Sequence, residues 1–199
     1  MYSQNAQGLQ GNEISGDFRG LLKIQQLKRT ITGKSDYAFL AQESHIYEDA
    51  EFDLGDDFKM FTHGLSIDES RRRGDVAIVL SPIGVKAWKK SGMPRPIHGG
   101  RIIGCARAMA LPIETTDHLG KTHRYILCSV YHPTGASGEE QETFEEMLAN
   151  FIEKSERKAT SSWATTVTHR WEPPHATIIS TKKLERTTKT SKAPLDRTA

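Results

Sequence analysis

Residues 75–81 have the sequence Asp-Val-Ala-Ile-Val-Leu-Ser, a short apolar run that follows Gly74 and stops at Pro82. Because it has no polar alternation, it predicts an inner strand that is covered on both faces. Three further runs of strand length are predicted on the same grounds, at residues 37–41, 101–106 and 125–131. These runs are the framework from which the rest of the fold is predicted.

Helical periodicity flanks the strands. Apolar residues at helical spacing predict a helix over residues 21–32, closed by Gly33. Ser137 followed by Glu140 fits a capping box and opens a second helix over about 138–156, and a short helix is predicted at 83–91. Since helices and strands do not alternate strictly, an α/β (α+β) architecture with a mixed or antiparallel sheet is favoured over a doubly wound one.

Composition and charge divide the 199 residues into three segments. Residues 1–16 are polar and predicted to be loose, and residues 17–156 form the folded domain. Residues 157–199 carry nine Lys and Arg against three acids and are rich in Thr and Ser, which predicts a disordered basic tail.

Several protein classes are excluded by composition. Mean hydropathy is −0.55, and no run of 18 apolar residues exists, so no membrane-spanning helix is expected. The two cysteines rule out a disulfide scaffold, and the N-terminus lacks the features of a secretory signal. An intracellular, non-secreted protein is expected. Its oligomeric state is left open.

Polar residues at two strand ends are the candidate site. Glu43 and His45 follow the strand at 37–41, and Tyr131 ends the strand at 125–131. A carboxylate at such a position could hold Mg²⁺, and a phenol could face a phosphate. On spacing alone, however, the favoured explanations are a strand that enters its loop and a Tyr that packs.

Two other groups of residues, the acidic run at 49–57 and the histidines, are predicted to have no metal-binding role. The acidic run at 49–57 fails the calcium-loop pattern and is predicted to be a solvated loop. The eight histidines show no local metal-ligand spacing.

Four segments, taken in order, resemble the endonuclease/exonuclease/phosphatase superfamily, which contains the apurinic endonucleases and DNase I-like enzymes. Residues 17–21, DFRGL, are similar to its N-x-R-G-L, and residues 36–45, DYAFLAQESH, to its D-I-x-x-L-Q-E-T-H. Residues 74–82, GDVAIVLSP, are similar to G-G-V-A-I-L-x-S, and residues 129–133, SVYHP, to N-V-Y-A-P. The chain most resembles the endonuclease domains found beside reverse transcriptases in non-LTR retrotransposons.

The resemblance implies a two-sheet α/β sandwich of the DNase I-like type, with the active site at one edge of the paired sheets. It implies Glu43 as the Mg²⁺ ligand, Tyr131 beside the scissile phosphate, His45 as a supporting residue and DNA as the partner. Asp17 would occupy the place of the family's opening Asn, where it cannot donate amide hydrogen bonds. A nuclear location would suit such a nuclease.

The later motifs of the family, G-D-x-N and S-D-H, do not occur in residues 1–199. The resemblance therefore implies an incomplete sandwich and a weakly active or inactive hydrolase, so that whether the chain is an enzyme is left open. The alternatives are a non-enzymatic nucleic-acid-binding module, which would use the basic tail and residues 71–73, and an inert retroelement remnant.

Overall fold

The computed structural model describes residues 2–5, 19–46, 48–64, 75–102, 107–131, 137–166 and 177–179. Four helices lie in these ranges: α1 (Arg19–Gly33), α2 (Pro82–Lys90), α3 (Gly99–Ile102) and α4 (Gly138–Thr166). The strands are β1 (Tyr2–Asn5), β2 (Ala38–Gln42), β3 (Ala50–Asp53), β4 (Lys59–His63), β5 (Val76–Leu80), β6 (Ile97–His98), β7 (Ala108–Thr116), β8 (Thr122–Val130) and β9 (Thr177–Ile179).

The strands form two sheets. The first has the order β1-β2-β5-β4-β3, and its pairs are antiparallel except for β1 with β2. The second has the order β6-β7-β8-β9, and its pairs are antiparallel except for β8 with β9. Both edge strands that pair in parallel come from the ends of the chain.

The two sheets pack face to face. Their shared core contains Leu40, Phe61 and Ile78 from the first sheet and Leu111 and Leu127 from the second. Burial of this apolar surface is the main stabilising contribution, at roughly 25 cal/mol per Å².

Helices cover the outer faces. Leu27 and Ile31 of α1 pack on the outer face of the first sheet, and Phe144 and Phe151 of α4 pack on that of the second. The result is a helix–sheet–sheet–helix arrangement. The predicted α+β class is confirmed, as are the helices at 21–32 and 83–91 and the strands at 37–41, 75–81 and 125–131 to within a few residues.

The segment between β2 and β5, which includes the predicted acidic loop, contains a β-hairpin. β3 and β4 pair antiparallel, with Phe52 opposite Met60, and β4 continues into the first sheet beside β5. The predicted solvated loop at 49–57 is therefore wrong for β3. Its acidic residues alternate with apolar residues that pack on the outer face, which is the period-2 pattern of a half-buried strand.

The strand predicted at residues 101–106 is also wrong where the structure describes it. Residues 101 and 102 end the short helix α3, and residues 103–106 lie outside the described ranges. The strand that fills this place in the second sheet is β7, which contains Pro112. Within the described ranges, β6 pairs with β7 only at residues 109 and 110. On the side of β7 that faces β6, Pro112 therefore has no strand partner that would require the N–H group that proline lacks.

Both ends of the chain differ from the predicted segments. Residues 2–5, expected to be loose, form β1. Helix α4 continues ten residues beyond 156 because it still packs on the sheet there, with Ala159 buried, and residues 177–179 pair with β8. The rest of the predicted loose and tail segments, at 6–18, 167–176 and 180–199, lies outside the described residues.

Gly84 allows α2 to lie against the start of β2. Ser81 caps this helix by accepting a hydrogen bond from the Gly84 N–H, and it donates two hydrogen bonds to the Tyr37 carbonyl. A Cβ atom on Gly84 would lie 2.0 Å from that carbonyl oxygen. The backbone of α2 therefore has no room for a side chain at this position.

We expect Gly84→Ala to lower the free energy of unfolding by about 3 kcal/mol, because the new methyl group forces α2 away from β2. Urea denaturation followed by circular dichroism measures the change. Gly33→Ala is the matched control, since a Cβ atom there meets nothing within 4 Å. Equal stability of the two variants would contradict the close approach.

Burial, and secondarily the negative charge of Glu156, raises the pKa of the Cys128 thiol from 9.0 to about 12. Above pH 9 the unfolded chain loses this proton while the native protein keeps it, so stability falls by about 1.4 kcal/mol per pH unit from this group. Urea unfolding at pH 7.5 and pH 10, under reducing conditions, compares wild type with Cys128→Ala. We expect wild type to lose about 1.4 kcal/mol more than the variant, and parallel losses would refute the raised pKa.

Candidate functional site

Side-chain hydrogen bonds join the ends of β2 and β8 across the two sheets. Gln42 Nε2 donates to the Val130 carbonyl at 2.8 Å, and the fully buried Ser129 hydroxyl donates to the Ala41 carbonyl at 2.9 Å. Each bond joins a side chain of one sheet to a main-chain oxygen of the other. The two strand ends are therefore held together at one edge of the sandwich.

This edge brings the predicted residues Glu43 and Tyr131 together. The Tyr131 hydroxyl donates a 2.7 Å hydrogen bond to Glu43 Oε1. Tyr131 is buried and belongs to the inter-sheet core, whereas Glu43 is half-buried. The phenol ring is thus fixed by packing, and its hydroxyl in turn orients a carboxylate that solvent can reach.

The backbone at Glu43 is strained. Its N–H donates to the Asp75 carbonyl at 2.8 Å, and its φ is +54°; His45, two residues on, has φ of +57°. Non-glycine residues in this left-handed region cost on the order of 1 kcal/mol each and persist where the surroundings determine the conformation. These two residues, with Ser44 between them, turn the chain at the end of β2 and leave the Glu43 side chain half-buried.

The other predicted site residues are placed differently. His45 is exposed in this turn and is not part of the contact between Glu43 and Tyr131. Asp17 lies outside the described residues, so its predicted role remains a prediction.

The register of β1 places a different residue near the site. Asn5 ends β1 and pairs with Gln42, the residue before Glu43. The sequence from Asn5, Asn-Ala-Gln-Gly-Leu, has the Asn, Gly and Leu spacing that was assigned above to residues 17–21. The strand is only four residues long and polar, so its sequence has no apolar signal that would have predicted it.

Arg107 is a further residue that sequence reasoning missed. Its guanidinium carbon lies 5.4 Å from the centroid of the Tyr131 ring, and its carbonyl accepts a hydrogen bond from the Tyr131 N–H at 2.9 Å. Arg107 stands 24 positions before Tyr131, and the antiparallel pairing of β7 with β8 brings it to the same edge. A lone Arg next to a predicted strand carries no signal of its own in the sequence.

The carboxylate of Glu43 fits a hard cation. Tyr131 occupies one hydrogen-bonding position on Oε1, and an ionised carboxylate accepts at both of its oxygens. Mg²⁺ is commonly bound through one or two carboxylates while it keeps several waters, which suits a single half-buried Glu. Arg107 adds a positive charge on the other side of the pair, over the Tyr131 ring.

Neither the comparison with protein-family models nor the search of the curated proteins finds a match for this chain. No helix within the described ranges has the length and apolar character needed to cross a bilayer. What the structure defines is an α+β protein of two facing sheets with a carboxylate–phenol pair at one edge.

We expect Glu43 and Tyr131 to be coupled by about 1 kcal/mol, because their hydrogen bond involves a charged acceptor. A double-mutant cycle of Glu43→Gln and Tyr131→Phe, measured by urea unfolding, gives this coupling. Tyr125→Phe is the control partner, since Tyr125 lies on the same strand six residues away. A coupling energy between Glu43 and Tyr131 within about 0.3 kcal/mol of zero would mean that their hydrogen bond contributes nothing to stability.

Proposed function

We propose that this chain is a Mg²⁺-dependent phosphodiester hydrolase domain of the endonuclease type that acts on DNA slowly. The observation that carries the proposal is the hydrogen bond between Glu43 and Tyr131. The two residues are 88 positions apart in the chain and end strands of different sheets. They are also the two residues to which the resemblance assigns metal binding and phosphate contact.

The proposed binding roles follow from the groups at the edge. Glu43 would hold Mg²⁺ together with water, and the bound ion would supply Lewis-acid stabilisation of charge on the phosphate. Tyr131 keeps the Glu43 carboxylate in place through its hydroxyl, with a ring that the core prevents from moving. Arg107 would place its guanidinium against a phosphate oxygen, a contact that planar donors favour.

Asn5 is proposed as the amide-bearing residue of the site in place of Asp17. Its register position beside Gln42 puts it at the strand end from which Glu43 leaves the sheet. An amide can both donate and accept hydrogen bonds, whereas an ionised Asp can only accept.

Slow turnover follows from the residue types in the chain. The G-D-x-N and S-D-H motifs, which would position the attacking water and supply proton transfer, do not occur in residues 1–199. Removing members of a catalytic unit lowers rates by several orders of magnitude, and binding and charge stabilisation account for what remains. The proposed enzyme therefore relies on the metal and on positive charge.

Nicking of supercoiled plasmid DNA by the full chain tests this function. We expect slow nicking that requires Mg²⁺ and stops with EDTA, and a fall of about 100-fold for Glu43→Gln, because the amide cannot replace the charged ligand. Glu51→Gln is the matched control, since Glu51 is an exposed carboxylate paired with Lys59 on the β3–β4 hairpin.

Nicking that is equal in Glu43→Gln and wild type would assign the cleavage to another group or to a contaminant. Folded protein that shows no nicking at any Mg²⁺ concentration would contradict the proposal. DNA binding with a steep salt dependence in that case would favour the nucleic-acid-binding alternative.

A further inference from the structure

A second group of polar side chains lies at the same edge of the sandwich. It consists of Asp49, His63 and His98, here called the Asp–His–His cluster. Asp49 directly precedes β3, His63 ends β4 in the first sheet, and His98 ends β6 in the second. The packing of the two sheets therefore brings together residues that are 14 and 35 positions apart in the sequence.

One carboxylate lies within ion-pairing distance of both imidazoles. His63 Nδ1 lies 2.6 Å from Asp49 Oδ1, and His98 Nδ1 lies 2.8 Å from Asp49 Oδ2. The two rings stack with centroids 4.7 Å apart and planes 10° apart. One ligand atom from each residue falls within 4.8 Å of the other two, so the three groups converge on a small volume.

The two histidines of the cluster are buried, whereas Asp49 contacts solvent. His63 and His98 are 5% and 9% exposed, and the Asp49 side chain is 22% exposed. Among the residues that the structure describes, none forms a hydrogen bond with the buried His63 Nε2. Burying a ring nitrogen without a partner is unfavourable, and a metal ion is one of the few partners that can occupy such a position.

Thr62 fixes the backbone on both sides of Asp49. Its hydroxyl donates to the Glu48 carbonyl at 2.9 Å and accepts from the Ala50 N–H at 3.1 Å. Since Thr62 precedes His63 on β4, the same strand positions the carboxylate and one of its imidazoles. The arrangement is preorganised by main-chain contacts rather than held by a flexible loop.

We propose that the Asp–His–His cluster binds a single divalent transition-metal ion, with Zn²⁺ as the expected occupant. Two imidazole nitrogens and one carboxylate oxygen are ligands that Zn²⁺ prefers, and water completes the coordination. Parallel rings direct their lone pairs side by side, so binding requires the imidazoles to turn toward the ion. The terminal torsion of histidine has broad minima, which permits a small turn of each ring.

A metal ion can reach the cluster from solvent, and its binding competes with protons. Asp49 is the member that contacts solvent, so exchange occurs from its side. An imidazole nitrogen that binds the ion must be unprotonated, so binding releases any protons that the cluster shares and is weakened at low pH.

This site is separate from the one proposed at Glu43. In the first sheet, Val76 of β5 pairs with His63 of β4 on one side and with Gln42 of β2 on the other. Two strand spacings, about 10 Å, therefore separate His63 from the end of β2. Ions that share a two-metal catalytic site lie only about 4 Å apart. The zinc site therefore does not depend on the hydrolase proposal.

Isothermal titration of the full chain with Zn²⁺, with Co²⁺ absorption as a second readout, tests the proposal. We expect one tight Zn²⁺ equivalent per chain, and at least a 10-fold weaker affinity in His63→Ala, in His98→Ala and in the near-isosteric Asp49→Asn. His123→Ala is the matched control, because His123 also pairs with an Asp, at 2.9 Å from Asp117, but outside the cluster.

Circular dichroism of each variant shows whether it folds. If an alanine variant does not fold, Asp49→Asn decides the test, because it changes the side-chain volume least. Absence of Zn²⁺ binding by folded wild type would overturn the proposal. The proposal would also be overturned if Asp49→Asn and every folded histidine variant bound one Zn²⁺ as tightly as wild type. The ion would then be bound by other residues of the chain. Failure of Mg²⁺-dependent nicking leaves this result unaffected.

Discussion

The joining of β2 to β8 across the sandwich is the constraint on which the rest of the structure depends. Two sheets that meet only through apolar side chains can slide, because dispersion and burial are not directional. The hydrogen bonds of Gln42 and Ser129 to main-chain carbonyls of the opposite sheet fix one relative position. That position places Glu43 within hydrogen-bonding distance of Tyr131, and both proposed ion sites lie at the same edge of the sandwich.

The sequence was most informative where burial is complete. β2, β5 and the second half of β8 are apolar without alternation, and the structure covers both of their faces, so run length and composition sufficed to predict them. Glu43 and Tyr131 were predicted as strand-end residues for the same reason. Their contact could not be derived from strand ends alone, because it depends on how the two sheets align.

Long-range pairing explains what the sequence did not reveal. Asp49, His63 and His98 have no local spacing that indicates a shared site, and they converge only through the register of β4 and β6 in different sheets. Pro112 concealed β7, since a proline is compatible with a strand only where its missing N–H is not needed. The short polar strand β1, which ends at Asn5, has no hydrophobic pattern to indicate it.

The two proposed ion sites differ in chemistry although they share an edge. A carboxylate beside a phenol favours a hard, hydrated ion such as Mg²⁺, whereas two imidazoles with one carboxylate favour Zn²⁺. Because the two sites prefer different ions, Mg²⁺ and Zn²⁺ need not compete for the same site. One site would serve phosphate chemistry, and the other would link the two sheets where β4 and β6 end.

Anomalous diffraction from crystals grown with Mn²⁺, as a substitute for Mg²⁺, tests the central claim most directly. If the β2–β8 edge is a divalent-cation site, an anomalous peak will lie within about 2.5 Å of the Glu43 carboxylate, with Tyr131 still hydrogen-bonded to it. A fully occupied Mn²⁺ bound elsewhere, with no peak beside Glu43, would contradict the claim.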